Sequence, residues 1–410
     1  RAGDPAGDRG AGGDAAMTWN TLAIGDFCRT GSGGTPSRQK ASRYFGGNIP
    51  WVKSGELREG VITETEETIT ELAVIESSAK FIPKGALLVA MYGATIGRVA
   101  KLGIDATSNQ AVCHILPDES LADTQYMFHA LQAQVPHWLV KGVGGAQPNI
   151  SQEIIKNTVI PLPPLEEQRR IATILDKANQ LRQLSQANLQ SLDDLARKVF
   201  SDMFGDPVDN ERGWNSGCIG DFVAQFETGK SLGSGDGDVS DSLRIIRVSA
   251  VSSGSFKPEE SKPAPKGYVP RENHFVQEGD LLLCRANTDT LIGEVAYVGQ
   301  GVRDLLLSDK IWRFCLSNKI KSHALYVQQL FRHPSVRREI RRRATGTSGS
   351  MLNISQSSVL EIPIILPPAD LQNKFQGIAA ECRRLFLQNT RQAINLRLLS
   401  CSLNRSLLES

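Results

Sequence analysis

Residues 19–27, WNTLAIGDF, and residues 214–222, WNSGCIGDF, are near copies, and this duplication decides how the whole chain is interpreted. Further matching residues follow in the same order in both halves: Gly85 and Gly279, Gly97 and Gly293, Ser108 and Ser308, NIS at 149–151 and 353–355, PP at 163–164 and 367–368. A spacing of about 200 residues is far longer than a solenoid repeat, so each copy is expected to be a complete domain. The chain is therefore predicted to hold two similar domains in tandem.

The composition is that of a globular protein with enough apolar residues for two cores. The 410 residues are 40% hydrophobic, and a formal net charge of +2 does not by itself indicate a nucleic-acid partner. There is no apolar run of about 18 residues and no charged-then-apolar leader, so a soluble, cytoplasmic protein without a membrane partner is expected. The seven cysteines are scattered without a C-x-x-C pair, which favours reduced, structural thiols.

Each half is predicted to be α+β and rich in strands. The apolar segments with strand character are 87–92, 112–116 and 159–160 in the first half, and 281–284, 295–298 and 311–314 in the second. Residues 124–135 and 324–332 have helical spacing instead. Residues 1–16 are almost wholly Gly, Ala and Asp, and we interpret them as a disordered extension or an artificial remnant outside the fold.

After each Pro-Pro pair the apolar pattern changes to heptads, which predicts a long helix with a pairing face. The predicted pairing residues are Ile171, Ile174, Leu181, Ser185, Asn188, Leu192 and Leu195 in the first helix, and Phe375, Ile378, Leu385, Asn389, Gln392, Leu396 and Leu399 in the second. Both seams have a polar interruption near mid-helix, which either a parallel or an antiparallel pairing would bring together. The alternative is that each helix covers only its own domain. At about 1.5 Å per residue, each helix is a rod on the order of 50 Å, long enough to act as a spacer.

The motifs that would indicate catalysis or metal binding are all weak. Residues 224–231, AQFETGKS, match a loose phosphate-binding loop, but residues 232–238 cannot form the helix that must follow it. Asp236-Gly237-Asp238 lacks the closing glutamate of a calcium loop, and Cys113-His114 has no partners at ligand spacing. Glu260-Ser261-Lys262 lies in a loop rather than on a nuclease strand, and an adenine-methyltransferase N/D-P-P-Y/F/W motif does not occur. No catalytic residue, metal site or cofactor is therefore expected in this chain.

The strongest charge cluster lies in the second half, followed by the polar loop 345–350. Arginine guanidinium groups next to such a loop are typical of phosphate contacts, although a solvated basic face is the simpler alternative. The DNA-binding candidates are Arg332, Arg337, Arg338, Arg341, Arg342 and Arg343, with Arg38, Lys53 and Lys141 from the first half.

Four segments resemble the specificity subunit of type I restriction-modification enzymes. They are GSGGTPSRQKASRYFGGNIPWVKSGEL (31–57), MYGATIGRVA (91–100), TSNQAV (107–112) and the residues from GGAQPNIS to IPLPPLEEQRRIATILD (144–176). The second half departs from this pattern, with SDK at 308–310 where the first half has SNQ at 108–110. Such divergence is expected if the two domains read different DNA sequences.

The resemblance implies a non-catalytic, DNA-reading subunit. Residues 17–164 and 206–368 would be two target-recognition domains, each reading one half of a split site in double-stranded DNA, and residues 165–205 and 369–410 would be spacer helices paired as an antiparallel coiled coil. It also implies two methyltransferase subunits that use S-adenosylmethionine on adenine, and two restriction subunits that use ATP and magnesium. The alternative function is an assembly scaffold for methyltransferase subunits, with domains too degenerate to read DNA.

Overall fold

The computed structural model describes residues 19–58, 60–141, 149–231, 239–252, 255–299, 303–317, 323–346 and 351–408. Residues 1–16, the Asp236–Asp238 turn and residues 347–350 of the loop after the arginine cluster lie outside these ranges. None of the helices in these ranges combines the length and the apolar composition that a membrane span requires. The chain divides into two compact units, one made of residues 1–184 with 394–410 and the other of residues 185–393.

The first unit combines ten strands with helices in its described part. The strands are β1 (Thr21–Ala23), β2 (Cys28–Ser32), β3 (Phe45–Val52), β4 (Gly60–Ile62), β5 (Glu67–Ile69), β6 (Leu87–Ala90), β7 (Val99–Leu102), β8 (Thr107–Ser108), β9 (Val112–Pro117) and β10 (Val159–Pro161). The helices are α1 (Ile24–Phe27), α2 (Ala41–Tyr44), α3 (Glu71–Glu76), α4 (Thr124–Lys141), α5 (Gln152–Lys156) and the first half of α6 (Leu165–Phe204). The sheets have the orders β2-β9-β6-β7-β4, β5-β3-β8 and β1-β10.

The second unit has the same construction. Its strands are β11 (Asn215–Cys218), β12 (Val223–Thr228), β13 (Val239–Ile246), β14 (Ser261–Pro265), β15 (Leu281–Cys284), β16 (Ala286–Asn287), β17 (Val295–Tyr297), β18 (Leu305–Leu306), β19 (Ile311–Leu316), β20 (Leu352–Asn353) and β21 (Pro363–Leu366). Its helices are α7 (Ile219–Phe222), α8 (Ala324–Arg332), α9 (Pro334–Arg343), α10 (Gln356–Leu360) and most of α11 (Ala369–Leu408), with the second half of α6. The sheets have the orders β12-β19-β15-β17, β14-β13-β18, β11-β21 and β16-β20.

The duplication read from the sequence is a duplication of strand topology. The order β12-β19-β15-β17 repeats β2-β9-β6-β7, and β14-β13-β18 repeats β5-β3-β8 with the same mixture of antiparallel and parallel pairing. The matched glycines share backbone geometry as well, since φ is +91° at Gly85 and +89° at Gly279. Positive φ is a conformation that glycine adopts without steric cost, which explains why glycine occurs at both positions. The α+β prediction of two similar domains is confirmed.

The central strand of each main sheet separates two apolar layers. In β6, Leu87 and Val89 face the core that contains α4, while Leu88 and Ala90 face a second core under the small sheet. Strand β15 does the same with Leu281 and Leu283 on one side and Leu282 and Cys284 on the other. Because side chains alternate along a strand, a continuous apolar run is what a strand buried on both faces requires.

The long helices run antiparallel where they meet in the second unit. Phe375 near the start of α11 packs on Phe200 and Phe204 near the end of α6, with ring centroids 5.4 and 5.7 Å apart. Further along α11, Phe386 lines a small cavity together with Leu192, which lies earlier in α6. Residue numbers therefore rise along one helix as they fall along the other, and the predicted coiled-coil pairing is confirmed.

The pairing seam differs from the prediction by one residue. Ile171, Ser185 and Phe375 are buried, but the second predicted series is largely exposed: Leu181 (51%), Leu195 (47%), Leu399 (53%), with Asn188 and Gln392 also exposed. The buried residues lie one position later, at Leu175, Ala196 and Ala379. In a heptad, the second seam position can follow the first by three or by four residues. Apolar residues occur at both spacings here, for example Ile174 and Leu175 after Ile171. The assignment of Leu181, Asn188, Leu195, Gln392 and Leu399 to the seam is therefore wrong.

Candidate nucleic-acid interface

Two members of the predicted arginine cluster are internal structural residues. Arg332, at the end of α8, has a side chain only 12% exposed and donates two hydrogen bonds to the Asp193 carboxylate, at 2.6 and 2.8 Å. Arg337 is 8% exposed, pairs with Glu294 at 2.7 Å and donates to the Thr290 carbonyl oxygen at 2.9 Å. Since both arginines are largely buried and already paired with carboxylates within the chain, Arg332 and Arg337 are corrected from phosphate contacts to residues that hold α8 and α9 in place.

The remaining arginines divide by their exposure. Arg343 is 23% exposed and pairs with Glu339, whose pKa is lowered mainly by that hydrogen bond. Arg342 also reaches Glu339, at 2.9 Å, but keeps 69% of its side chain exposed. Arg338 and Arg341 are exposed, and neither has a carboxylate partner among the described residues. Arg338, Arg341 and Arg342 lie three and four residues apart, so they share one side of α9.

A polar loop lies against this side of α9. Residues 288–290 are exposed, and the Thr290 carbonyl accepts hydrogen bonds from both Arg337 (2.9 Å) and Arg341 (3.2 Å). The loop begins after Asn287, whose side-chain amide donates to the Ser252 hydroxyl at 3.0 Å. We use the name α9 face for the surface formed by Arg338, Arg341, Arg342 and residues 288–290. Its guanidinium and hydroxyl groups are of the kinds that contact phosphates and base edges in protein–DNA complexes.

In the first unit, the predicted cations are neutralised by neighbouring carboxylates. Arg38 forms two hydrogen bonds to Glu67, at 2.7 and 3.1 Å, and its guanidinium lies over the Phe45 ring at 4.1 Å. Lys53 bonds to Glu66 at 2.7 Å and to Glu67 at 3.1 Å. The hydrogen bond from Arg38 is the main reason that the pKa of Glu67 is lowered. Two cations and two carboxylates cancel, so this cluster presents polar groups rather than net positive charge.

Lys141 does not belong to that cluster. It is the exposed last residue of α4, and residues 142–148, which follow it, lie outside the described ranges. Lys141 lines a surface pocket with Ser151 and Glu153, whereas Arg38 and Lys53 meet at Glu67, so the three cations do not form a single basic site.

Sequence reasoning missed Arg247, which occupies the position of Lys53 in the repeated topology. Lys53 follows β3 and precedes a 3-10 turn, and Arg247 follows β13 and precedes the matching turn. Arg247 is exposed, and among the described residues it has no carboxylate within ion-pair distance. The sequences around Lys53 and Arg247 have little in common, so the correspondence of the two residues is visible only from the strand order.

The described residues do not include a group of three or more His, Cys, Asp or Glu side chains arranged to hold a metal ion. Burial raises the pKa of the Cys28 and Cys113 thiols to about 12, which strongly disfavours their thiolate forms at neutral pH. His114 is also partly buried, and its pKa is lowered mainly by that burial. The Cys113-His114 pair is thus part of the strand core.

Comparison with known proteins gives one consistent result. Residues 17–193 match the family model described as the type I restriction modification DNA specificity domain. The chain is 25% identical over 406 residues to the type I restriction enzyme MjaIX specificity subunit of Methanocaldococcus jannaschii, covering 92% of this chain and 90% of the relative. It is 30% identical over 173 residues to the EcoR124I/EcoR124II specificity subunit of Escherichia coli, covering 41% and 42% of the two chains.

Solved structures show the same fold over nearly the whole chain. The crystal structure of a type I restriction-modification S subunit from M. genitalium covers 97% of this chain and 98% of its own, with a TM-score of 0.57 and 14% identity. A structure from a study of complex assembly in the type I system gives a TM-score of 0.54 at 17% identity and covers 95% of this chain.

Proposed function

We propose that this chain is the non-catalytic subunit that reads a bipartite DNA site in a type I restriction-modification system, because residues 17–193 match the DNA specificity domain of that family and the chain is similar over 92% of its length to a type I specificity subunit. Residues 17–164 read one half-site and residues 206–368 read the other. The helical residues 165–205 and 369–410 set the length of the unread gap.

The observation that carries this proposal is the occurrence of one strand topology twice along a single chain. Two modules of one construction suit two half-sites, and divergent surface loops allow each half to differ in sequence. Each module also shares its core with the long helices: Ile171 and Leu175 of α6 are in the first unit's core, and Phe200 and Phe204 of the same helix are in the second's. A spacer that is part of both cores suits a fixed gap better than a flexible linker does.

Phosphate contact by the second unit is assigned to the α9 face. Arg338 and Arg341 are exposed cations without carboxylate partners among the described residues, and exposed arginines are the groups that release counterions when DNA binds. Arg247 is a further candidate on the small sheet. In the first unit, Arg38 and Lys53 would contact DNA phosphates only by giving up their ion pairs with Glu66 and Glu67. They are therefore better suited to hydrogen bonds with DNA bases than to electrostatic attraction of the DNA backbone.

The chemistry belongs to partner subunits. Two methyltransferase subunits supply S-adenosylmethionine-dependent adenine methylation, and two restriction subunits supply ATP- and magnesium-dependent cleavage. This chain contributes DNA recognition and a surface for assembly, and needs no cofactor of its own.

The test is to express the chain with its methyltransferase subunit in a methylation-free host and to map modified adenines across the genome. A bipartite motif with a fixed gap is expected, and exchange of residues 17–164 for those of a relative should change one half only. A stable complex that methylates without any motif would instead support the scaffold function.

A further inference from the structure

The first unit contains a basic groove. It lies between α4, the first half of α6, the turn from β6 to β7 and the end of α11, whose residues 394–410 belong to this unit. Its volume is about 460 Å³, and three arginines line it: Arg98, Arg182 and Arg397. We call it the junction groove.

The charges of the junction groove are not balanced from within. All three arginines are exposed, and no carboxylate lines the groove among the described residues. Among the residues that the structure describes, Arg98 donates a hydrogen bond only to the Leu57 carbonyl oxygen, at 3.5 Å. The neighbouring Asp176 does not line the groove, and its Oδ1 points to Gln125 at 2.9 Å and to the buried His129 ring at 2.8 Å rather than to any of the three arginines. The groove thus presents three exposed arginines that form no ion pair with a carboxylate among the described residues.

The equivalent place in the second unit holds its own counter-charge. Gln132 lies as many residues after Tyr126 as Arg332 lies after Tyr326, so these two positions correspond. In the same way, Asp193 follows the first Pro-Pro pair at the distance at which Arg397 follows the second, so Asp193 and Arg397 correspond. In the second unit, Arg332 and Asp193 form the ion pair described above, and the remaining cavity is about 40 Å³. In the first unit an arginine replaces the carboxylate and a glutamine replaces the arginine, so the ion pair cannot form and a wider groove remains.

The floor of the junction groove indicates what kind of molecule fits it. Ile96 and Val135 are partly exposed and line the groove together with the arginines, and the nearly buried Val99 and Leu175 complete its apolar lining. A DNA backbone would satisfy the cations but would leave this floor without apolar contacts, whereas a protein segment can offer carboxylates and apolar side chains together. An apolar floor with a basic rim is therefore complementary to an acidic, partly apolar peptide segment.

We propose that the junction groove docks an acidic segment of the methyltransferase subunit, with Arg98, Arg182 and Arg397 pairing to its carboxylates. This inference rests on the proposed function, because that function supplies the partner. The groove is an assembly surface and does not contribute to half-site recognition.

The test compares the full chain with a variant in which Arg98, Arg182 and Arg397 are all changed to Glu. We expect the affinity for the purified methyltransferase subunit, measured without DNA, to fall by on the order of 10- to 100-fold, with a weaker dependence on salt. Arg391→Glu is the matched control, since Arg391 is exposed on α11 but does not line the groove. The corresponding triple Gln variant should show a smaller loss and guards against misfolding caused by the charge reversals.

Each outcome decides the matter. Normal subunit binding by both triple variants would overturn the proposal. Normal subunit binding with weakened DNA binding by the assembled complex would also overturn it, and would identify the groove as a phosphate contact. Failure of the proposed function looks different, because the wild-type complex would then assemble normally but methylate DNA without a bipartite motif.

Discussion

The side-chain oxygen of Gln168 accepts a hydrogen bond from the backbone N–H of Asp123 at 2.8 Å, which fastens the start of α6 to the segment that leads into α4. The amide nitrogen of the same fully buried side chain donates to the carbonyls of Leu121 (2.9 Å) and Pro163 (2.7 Å). Gln372 lies at the matching position of α11, is also buried, and donates to the Pro367 carbonyl at 2.8 Å. Each long helix therefore begins at a buried glutamine, and in α6 the bonds of Gln168 to Leu121 and Asp123 tie the helix to its domain.

Replacing Gln168 with Leu should destabilise the protein and make the length of the unread gap between the two half-sites less uniform. The change removes three hydrogen bonds and leaves buried backbone groups without partners, for a loss of about 2–4 kcal/mol. Urea unfolding measures the loss, and Gln180→Leu, at an exposed position of the same helix, is the control. In the methylation assay we expect a wider spread of gap lengths with unchanged half-sites. An unchanged gap distribution would limit Gln168 to a role in stability.

The α9 face should govern DNA affinity. Changing Arg338, Arg341 and Arg342 to Ala should weaken binding to all sequences and reduce the slope of log K against log salt by about 2–3, since each phosphate contact contributes about one unit. Fluorescence anisotropy across a salt series measures both quantities. Arg384→Ala is a suitable control because Arg384 is bonded to Glu381 on α11. If the slope does not change, the α9 face is only a solvated surface.

The Arg332–Asp193 pair should matter for stability and not for DNA. Breaking a largely buried pair costs about 3 kcal/mol, so Arg332→Met should lower the unfolding midpoint while the salt slope of DNA binding stays the same. Adding Asp193→Asn should recover part of the loss, because Arg197 alone then no longer has to compensate a partly buried carboxylate. A parallel loss of DNA affinity and salt slope would restore Arg332 as a phosphate contact.

The same pair predicts a pH dependence. Burial opposes the charged form of Asp193, but hydrogen bonds from Arg332 and Arg197 outweigh burial, and the pKa of the carboxyl is lowered overall. A lowered folded-state pKa gives stability that is present above the unfolded value, about 3.9, and is lost as the pH falls through the folded value. The difference in unfolding free energy between the wild type and Asp193→Asn should therefore be constant near pH 7 and shrink below about pH 4. A constant difference down to pH 2 would contradict this account.

Alanine substitutions at Gly229 and Gly377 should change the stability of the folded protein in opposite directions. A Cβ at Gly229 would clash with the Leu307 backbone carbonyl, so Gly229→Ala forces the backbone to move and should cost more than about 2 kcal/mol. Gly377 lies within α11 with no atom within 4 Å of the added Cβ, so Gly377→Ala should stabilise by about 0.5–1 kcal/mol. Thermal unfolding of both variants checks the pair, and similar shifts in one direction would refute the close approach at Gly229.

Lengthening the spacer should change only the gap. One heptad inserted into both α6 and α11 adds about 10 Å of helix, which corresponds to about three base pairs of B-DNA. Genome-wide mapping of methylated adenines should show a longer gap between unchanged half-sites. Altered half-site identity would show that the helices do not act as spacers.

The sequence by itself determined the features that depend on local order. The copies at residues 19–27 and 214–222 revealed the repeat, the apolar runs at 87–92 and 281–284 located the central strands, and heptads located both long helices. These features are accessible because strand alternation and helical periodicity connect residues that are close along the chain.

The tertiary structure alone decided which of these side chains pair and which remain exposed. Arg332 is held by Asp193 and Arg337 by Glu294, partners that lie far away in sequence, and a run of arginines does not reveal them. In α6, Ala196 rather than Leu195 is buried, beside Ala379 and Cys382 of α11, because packing in the folded chain selected between two heptad divisions that the sequence allowed. Burial and charge compensation depend on the path of the whole chain, so the exposed cations of the α9 face and the junction groove emerge only in the folded protein.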